Sequence, residues 1–167
     1  MSVTSIDKDL DNLTFTLVAD FAAPVDRVWE LWADPRQLER WWGPPSYPAT
    51  VEHHDLSPGG EVTYFMTSPE VERYRGWWEL MTVDPPTLLE FVDGFADAEG
   101  NRNLDMPTTT ARVLLIETDE GTRMEMRSLF GSRAQMDELV NMGMVDGIQQ
   151  AVGQMDGLLA GAVASGQ

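Results

Sequence analysis

The chain has 167 residues, 43% of them apolar and 23% charged, with 28 Asp and Glu against 11 Lys and Arg for a formal charge of −17. Such a length fits one domain that buries roughly 70% of its unfolded surface, and the excess of acid repels phosphate backbones and anionic lipid, which argues against nucleic-acid partners. Zero cysteines exclude a disulfide framework, a thiolate zinc site and a cysteine nucleophile, and no stretch approaches the ~20 apolar residues of a membrane span, so a cytoplasmic protein without membrane insertion is expected.

Residues 1–13 are polar, acidic and aperiodic, which predicts a flexible acidic leader with neither signal peptide nor anchor. From Thr14 to Ala22 the side chains of Phe15, Leu17, Ala19 and Phe21 alternate with more polar positions, as a half-buried strand requires. Pro24 suits a first helical position, and Val25, Val28, Trp29 and Trp32 recur at helical spacing. Asp34 is placed to cap a second short helix, with Pro35 at its first position and Leu38, Trp41 and Trp42 on its apolar side, until Gly43-Pro44-Pro45 ends it.

From Ala49 to Phe130 the period is mostly two, broken by turn chemistry at Ser57-Pro58-Gly59-Gly60, Ser68-Pro69, Asp84-Pro85-Pro86, Asp97 to Pro107 and Asp119-Glu120-Gly121. These breaks predict strands near 49–56, 61–67, 73–83, 87–95, 109–118 and 122–130. Short connections make successive strands antiparallel neighbours, because parallel pairing needs a long crossover. Beyond Gly131 one apolar stripe runs through Met136, Leu139, Val140, Gly143, Met144, Gly147, Ile148, Ala151, Met155, Leu158 and Leu159. It predicts a single helix of about 28 residues, roughly 40 Å long, ahead of a C-terminal tail at 161–167. The expected fold class is therefore α+β: a curved antiparallel seven-stranded sheet wrapped around a long C-terminal helix, with two short helices after the first strand. One row of helical side chains cannot fill such a sheet, so a cavity between helix and sheet is expected.

Short motifs in this order carry a resemblance. They are Ala23-Pro24-Val25-Asp26-Arg27-Val28-Trp29, Arg40-Trp41-Trp42-Gly43-Pro44, Asp55-Leu56-Ser57-Pro58-Gly59-Gly60, Gly76 with Asp84-Pro85-Pro86, Gly121-Thr122-Arg123, and Gly143-Met144-Val145-Asp146-Gly147. Together they resemble the SRPBCC superfamily, also called START-like or Bet v 1-like, and within it the AHSA1 group named for the activator of Hsp90 ATPase. The resemblance spans residues 14–160, which sets the expected single domain, and it implies the helix-grip fold. One departure is Ile148, where many members of the group carry Trp after the glycine. The superfamily holds lipid carriers, hormone receptors, cyclases, oxygenase subunits and co-chaperone domains, so the resemblance does not fix a function.

The chain's two histidines, His53 and His54, are adjacent on an expected strand, where neighbours point to opposite faces, so they do not share a metal and no metal site is expected. Whichever faces inward is a weak acid/base candidate. No Gly-x-Ser-x-Gly elbow, phosphate loop or dinucleotide fingerprint is present, and no cofactor is expected. Of the acids near the expected cavity, Glu79 and Glu90 can face solvent, whereas Asp93 shares a face with Phe91 and Phe95 and is the carboxylate to watch.

The expected lining is Trp41, Trp42, Tyr64, Met66, Trp78, Phe91, Phe95, Met124, Met126, Met136, Val140, Gly143, Met144 and Gly147. Adaptable thioethers and aromatic rings dominate it, although the same residues also suit an ordinary Met-rich core. The leading expectation is a module, monomer or homodimer, that binds a small hydrophobic ligand such as a lipid, polyketide or aromatic. The alternatives are a cofactor-independent cyclase or isomerase using Asp93 or an inward histidine, and a chaperone-contacting domain like the Hsp90 activator. An enzyme is the less favoured of the first two.

Overall fold

The computed structural model describes residues 3–165, with side chains described as far as Ala160. Of the expected tail at 161–167, residues 161–165 are helical in backbone and 166–167 lie outside the described residues. The chain runs β1 (Val3–Asp9), β2 (Thr14–Phe21), α1 (Val25–Ala33), α2 (Pro35–Leu38), β3 (Ala49–His54), β4 (Glu61–Thr67), β5 (Arg73–Asp84), β6 (Leu88–Ala96), β7 (Thr109–Thr118), β8 (Gly121–Phe130), α3 (Arg133–Asn141), α4 (Met144–Gly153) and α5 (Met155–Ser165). The strands form one antiparallel sheet in the order β1-β2-β8-β7-β6-β5-β4-β3.

The sheet has eight strands, not the seven expected, because residues 3–9 of the anticipated leader pair with β2. Their apolar residues, Val3 and Ile6, fall three apart and only pack partly against the core, with a register shift between Val3 and Ser5. An edge strand held by backbone pairing needs no alternating pattern, so hydrophobic periodicity did not reveal it. The turn into β2 is closed by the Asp9 carboxylate, which accepts from the Asp11 and Asn12 amides at 3.1 Å.

The short helices follow the sequence signals. Asp34 accepts from the Arg36 amide at 2.9 Å, and Pro35 opens α2. The concave sheet face carries alternate residues of each strand, among them Phe15 and Leu17, Val62 and Tyr64, Trp78 and Leu80, Phe91, Val113 and Met124. Trp32 of α1 joins them, with its ring 4.7 Å from that of Trp41, while Trp78 stacks on Phe91 at 4.0 Å.

The expected single C-terminal helix is three segments. Gly143 takes φ +94°, a left-handed conformation that ends α3 and starts α4. A second break falls at Gln154, whose side-chain amide donates to the carbonyls of Trp41 at 3.2 Å and Gly43 at 2.7 Å. Side-chain hydrogen bonds thus tie the end of α4 to the segment after α2.

On the convex face, Trp77 lies over Gly94, where a side chain would collide with the indole, and its Nε1–H donates to the Phe95 carbonyl at 2.8 Å. The Arg102 guanidinium stacks on the same ring at 4.0 Å and pairs with Glu79 at 2.8 Å and Glu61 at 2.9 Å. Loop 97–108 is thereby fastened to the outside of the sheet.

Candidate functional site

Between the concave sheet and the C-terminal helices lies a cavity of about 290 Å³. Its sheet wall is Tyr64 and Met66 of β4, Asp93, Gly94 and Phe95 of β6, Thr109 of β7 and Met126 of β8. The helical wall is Leu139 of α3, Met142 and Gly143 of the break, and Met144, Gly147, Ile148, Ala151 and Val152 of α4. Trp41, Trp42 and Pro44 close the end beside α2, and Pro107 enters from the loop before β7. Shortening at Gly143 and Gly147 leaves room that larger helical residues would occupy, and a Cβ on Gly147 would meet only Pro44, at 3.7 Å.

One polar cluster interrupts this apolar lining. The Tyr64 hydroxyl donates to Asp93 Oδ1 at 3.3 Å. It fits because Gly76, directly opposite Tyr64 on β5, has no side chain, and a Cβ there would overlap the phenol. The indole N–H groups of Trp42 and Trp78 lie close enough to the phenol oxygen to favour its ionised form, without completing a hydrogen bond. Burial, and secondarily the neighbouring Asp93, nonetheless hold Tyr64 well above the usual phenol range. Asp93 sits opposite Trp78 on β5 and Thr109 on β7. Burial pushes its carboxyl up to about 7, against the opposing effect of the Tyr64 hydrogen bond. Near neutral pH Asp93 therefore samples both states, and it can donate, accept or exchange a proton.

Of the residues expected to form the site, Trp41, Trp42, Tyr64, Met66, Asp93, Phe95, Met126, Gly143, Met144 and Gly147 line the cavity together. Trp78, Phe91, Met124 and Met136 do not: each is fully buried in the packed core beneath it. They share the correct face, but lie further along the strands and helix, where the two layers meet tightly. Val140 packs against the core and is likewise outside the lining. Gly143, expected inside a continuous helix, instead marks its break.

The histidines are also elsewhere. A register shift between Val51 and His53 disturbs the alternation of β3, leaving His53 exposed and setting the His54 Nε2 3.1 Å from the Trp32 carbonyl. Neither reaches the cavity. Among the described residues no group of three or more His, Asp or Glu is arranged to hold a metal ion. Glu79 and Glu90 face outward to Arg102 and Arg112.

The lining that the sequence reading did not name comprises Gly94, Pro107, Thr109, Leu139, Met142, Ile148, Ala151 and Val152. Leu139, Ile148 and Ala151 belong to the helical stripe and were findable from period; Thr109 follows from its register opposite Asp93. Pro107 lies in a loop with no periodic signal.

Comparison with known proteins agrees with this architecture. The model of the family described as "Activator of Hsp90 ATPase homolog 1-like protein" matches residues 22–160. The crystal structure of protein Ms6760 from Mycobacterium smegmatis is 50% identical, with a TM-score of 0.87 over 94% of this chain and 96% of that one. The solution structure of a protein from Arthrobacter aurescens is 46% identical, with a TM-score of 0.92 over 95% and 92% of the two chains. DynU16, a putative protein in the dynemicin biosynthetic locus, is similar in fold at 19% identity, with a TM-score of 0.62 over 86% of this chain and 47% of that one. No curated protein gives a significant match.

Proposed function

Since the chain belongs to the activator of Hsp90 ATPase homolog 1-like family, whose fold suits a ligand-binding domain, we propose that it binds a small, mostly apolar molecule between the sheet and helices α3 and α4. The observation that carries this reading is the cavity of about 290 Å³ walled by aromatic, Met and aliphatic side chains. Such a volume is near the lower end of small-molecule sites, and transfer of apolar surface into it is worth roughly 25 cal/mol per Å² buried before association costs.

The reading is tested by native mass spectrometry of the purified protein, together with thermal-shift screening against lipids, aromatic polyketides and steroids. Retained mass or a concentration-dependent rise in Tm supports it. A screen without any shift, joined to a protein mass with nothing bound, removes it.

A second reading rests on Asp93 itself. A carboxyl held at about 7 inside the cavity is matched to proton transfer at neutral pH. It suits a cofactor-independent isomerase or cyclase, in which Asp93 takes a proton from carbon beside a ligand carbonyl and returns it to another atom of the same ligand. Turnover of a bound ligand that disappears in Asp93→Asn, with binding retained, supports this chemistry. Turnover that persists in the variant excludes it.

A further inference from the structure

The charge pattern of the cavity narrows what it takes. Asp93 and Tyr64 are the ionisable residues of the lining, and neither the helical wall nor the Trp41–Pro44 end contributes a titratable side chain. No Lys, Arg or His of the lining stands ready to meet a ligand carboxylate or phosphate. Around the cavity the whole chain carries a formal charge of −17, which raises the local concentration of cations and lowers that of anions.

The polar cluster is also directional. The Tyr64 oxygen, flanked by the indole N–H groups of Trp42 and Trp78, has its proton turned toward Asp93 Oδ1. An ionised carboxylate has about four acceptor positions, so Asp93 keeps most of its accepting capacity after that single bond. A buried carboxylate without a cationic partner is costly, and a ligand that brings the cation relieves that cost. The aromatic side chains of Trp42, Tyr64 and Phe95 in the same lining are the type that attracts an organic cation.

Building on the proposed binding function, we infer that the cavity takes an organic ammonium ion: an amine whose hydrophobic part lies against Met66, Phe95 and Met126 and whose N–H groups donate to Asp93. Fatty-acid carboxylates and phosphorylated lipids are disfavoured guests of the same size, since both would bring a second negative charge beside Asp93.

Three probes that share one ring skeleton separate the possibilities: naphthylethylamine, naphthylethanol and naphthylacetate, titrated calorimetrically into the full-length protein at a pH of about 8, where an isolated alkylamine is still protonated. The amine is expected to bind about tenfold more tightly than the alcohol, the scale of one charge-assisted hydrogen bond, and naphthylacetate at least about tenfold more weakly than the alcohol. In Asp93→Asn the preference for amine over alcohol should fall from about tenfold to within about threefold of parity, both probes being measured on the variant. A wild-type measurement covers the case in which the variant does not fold. The preference for amine over alcohol should shrink on lowering the pH to about 5, where Asp93 is protonated and Tyr64, the other ionisable group of the wall, is unchanged.

Equal binding of amine and alcohol, a preference for naphthylacetate, or an amine preference that survives Asp93→Asn overturns the ammonium inference and leaves ligand binding standing. Failure of all three probes to bind, in a protein that also shows no shift in the wider apolar screen, overturns both.

Discussion

Replacing Asp93 by Asn tests whether the polar cluster is held at an energetic cost. Asn keeps an oxygen that can accept from Tyr64 and nearly the same volume, but it cannot ionise. Moving a carboxyl from 3.8 to about 7 corresponds to a differential of up to about 4 kcal/mol between its protonated and ionised forms. Below pH ~4 both folded and unfolded chains carry the proton and the group contributes no slope. Between ~4 and ~7 the folded chain holds a proton that the unfolded chain has released, so wild-type stability falls as pH rises, and above ~7 the full penalty applies. The variant lacks this slope. Its stability relative to wild type should therefore rise by up to about 4 kcal/mol between pH ~4 and ~8, measured by urea denaturation of both proteins in matched buffers. All other titrating groups are common to the two chains and cancel in the difference. A wild-type to variant difference that stays constant across this range would show that Asp93 is ordinarily solvated, and the reasoning about the cavity's polar cluster would fail with it.

Gly76→Ala places a methyl group against the Tyr64 hydroxyl, so it should cost about 1–3 kcal/mol and disturb the bond to Asp93; unchanged urea stability would mean that the phenol moves aside freely. Gly147→Ala meets only Pro44 and sits within α4, so it should stabilise the fold by roughly 0.5–1 kcal/mol while shrinking the cavity. A higher Tm with weaker binding of a ligand found by screening is the expected pair of results, and a lower Tm would contradict the open space seen there. Trp41→Phe removes the indole N–H that donates to the Leu31 carbonyl at 2.8 Å, and a loss of about 1–3 kcal/mol is expected by thermal or urea denaturation. Full stability in that variant would show the bond to be dispensable.

The strands were legible because their chemistry is local. Alternation over Thr109–Thr118 and turn residues on either side of Glu61–Thr67 place those strands where the structure has them. β1 escaped because pairing to β2, a partner in its own hairpin, stabilises it without an apolar face. The helix break at Gly143 was written in the sequence as a glycine on a stripe, but a glycine that lines a helix face and one that adopts positive φ look alike before the neighbours are known. In the site, periodicity gave the correct inward face for Asp93, Phe95, Tyr64 and Met126. What it could not give is depth along the layer: Trp78 and Phe91 share that face yet stack on each other in the core, while Asp93 and Phe95, further along the same strand, open onto the void. For the histidines alternation left the inward member open, and the register shift in β3 leaves His53 exposed and His54 beside the Trp32 carbonyl, so neither takes up the weak acid/base role.

The Gly94 crossing, with Trp77 laid over it, has a consequence for observing occupancy. At that point a single strand separates the guest chamber from a buried indole: Gly94 and Phe95 border the void, and Trp77 on the far side is hydrogen-bonded to the carbonyl of Phe95. A guest that displaced Gly94 and Phe95 would shift an indole covered by the Arg102 guanidinium, so Trp77 fluorescence is the expected optical gauge of occupancy.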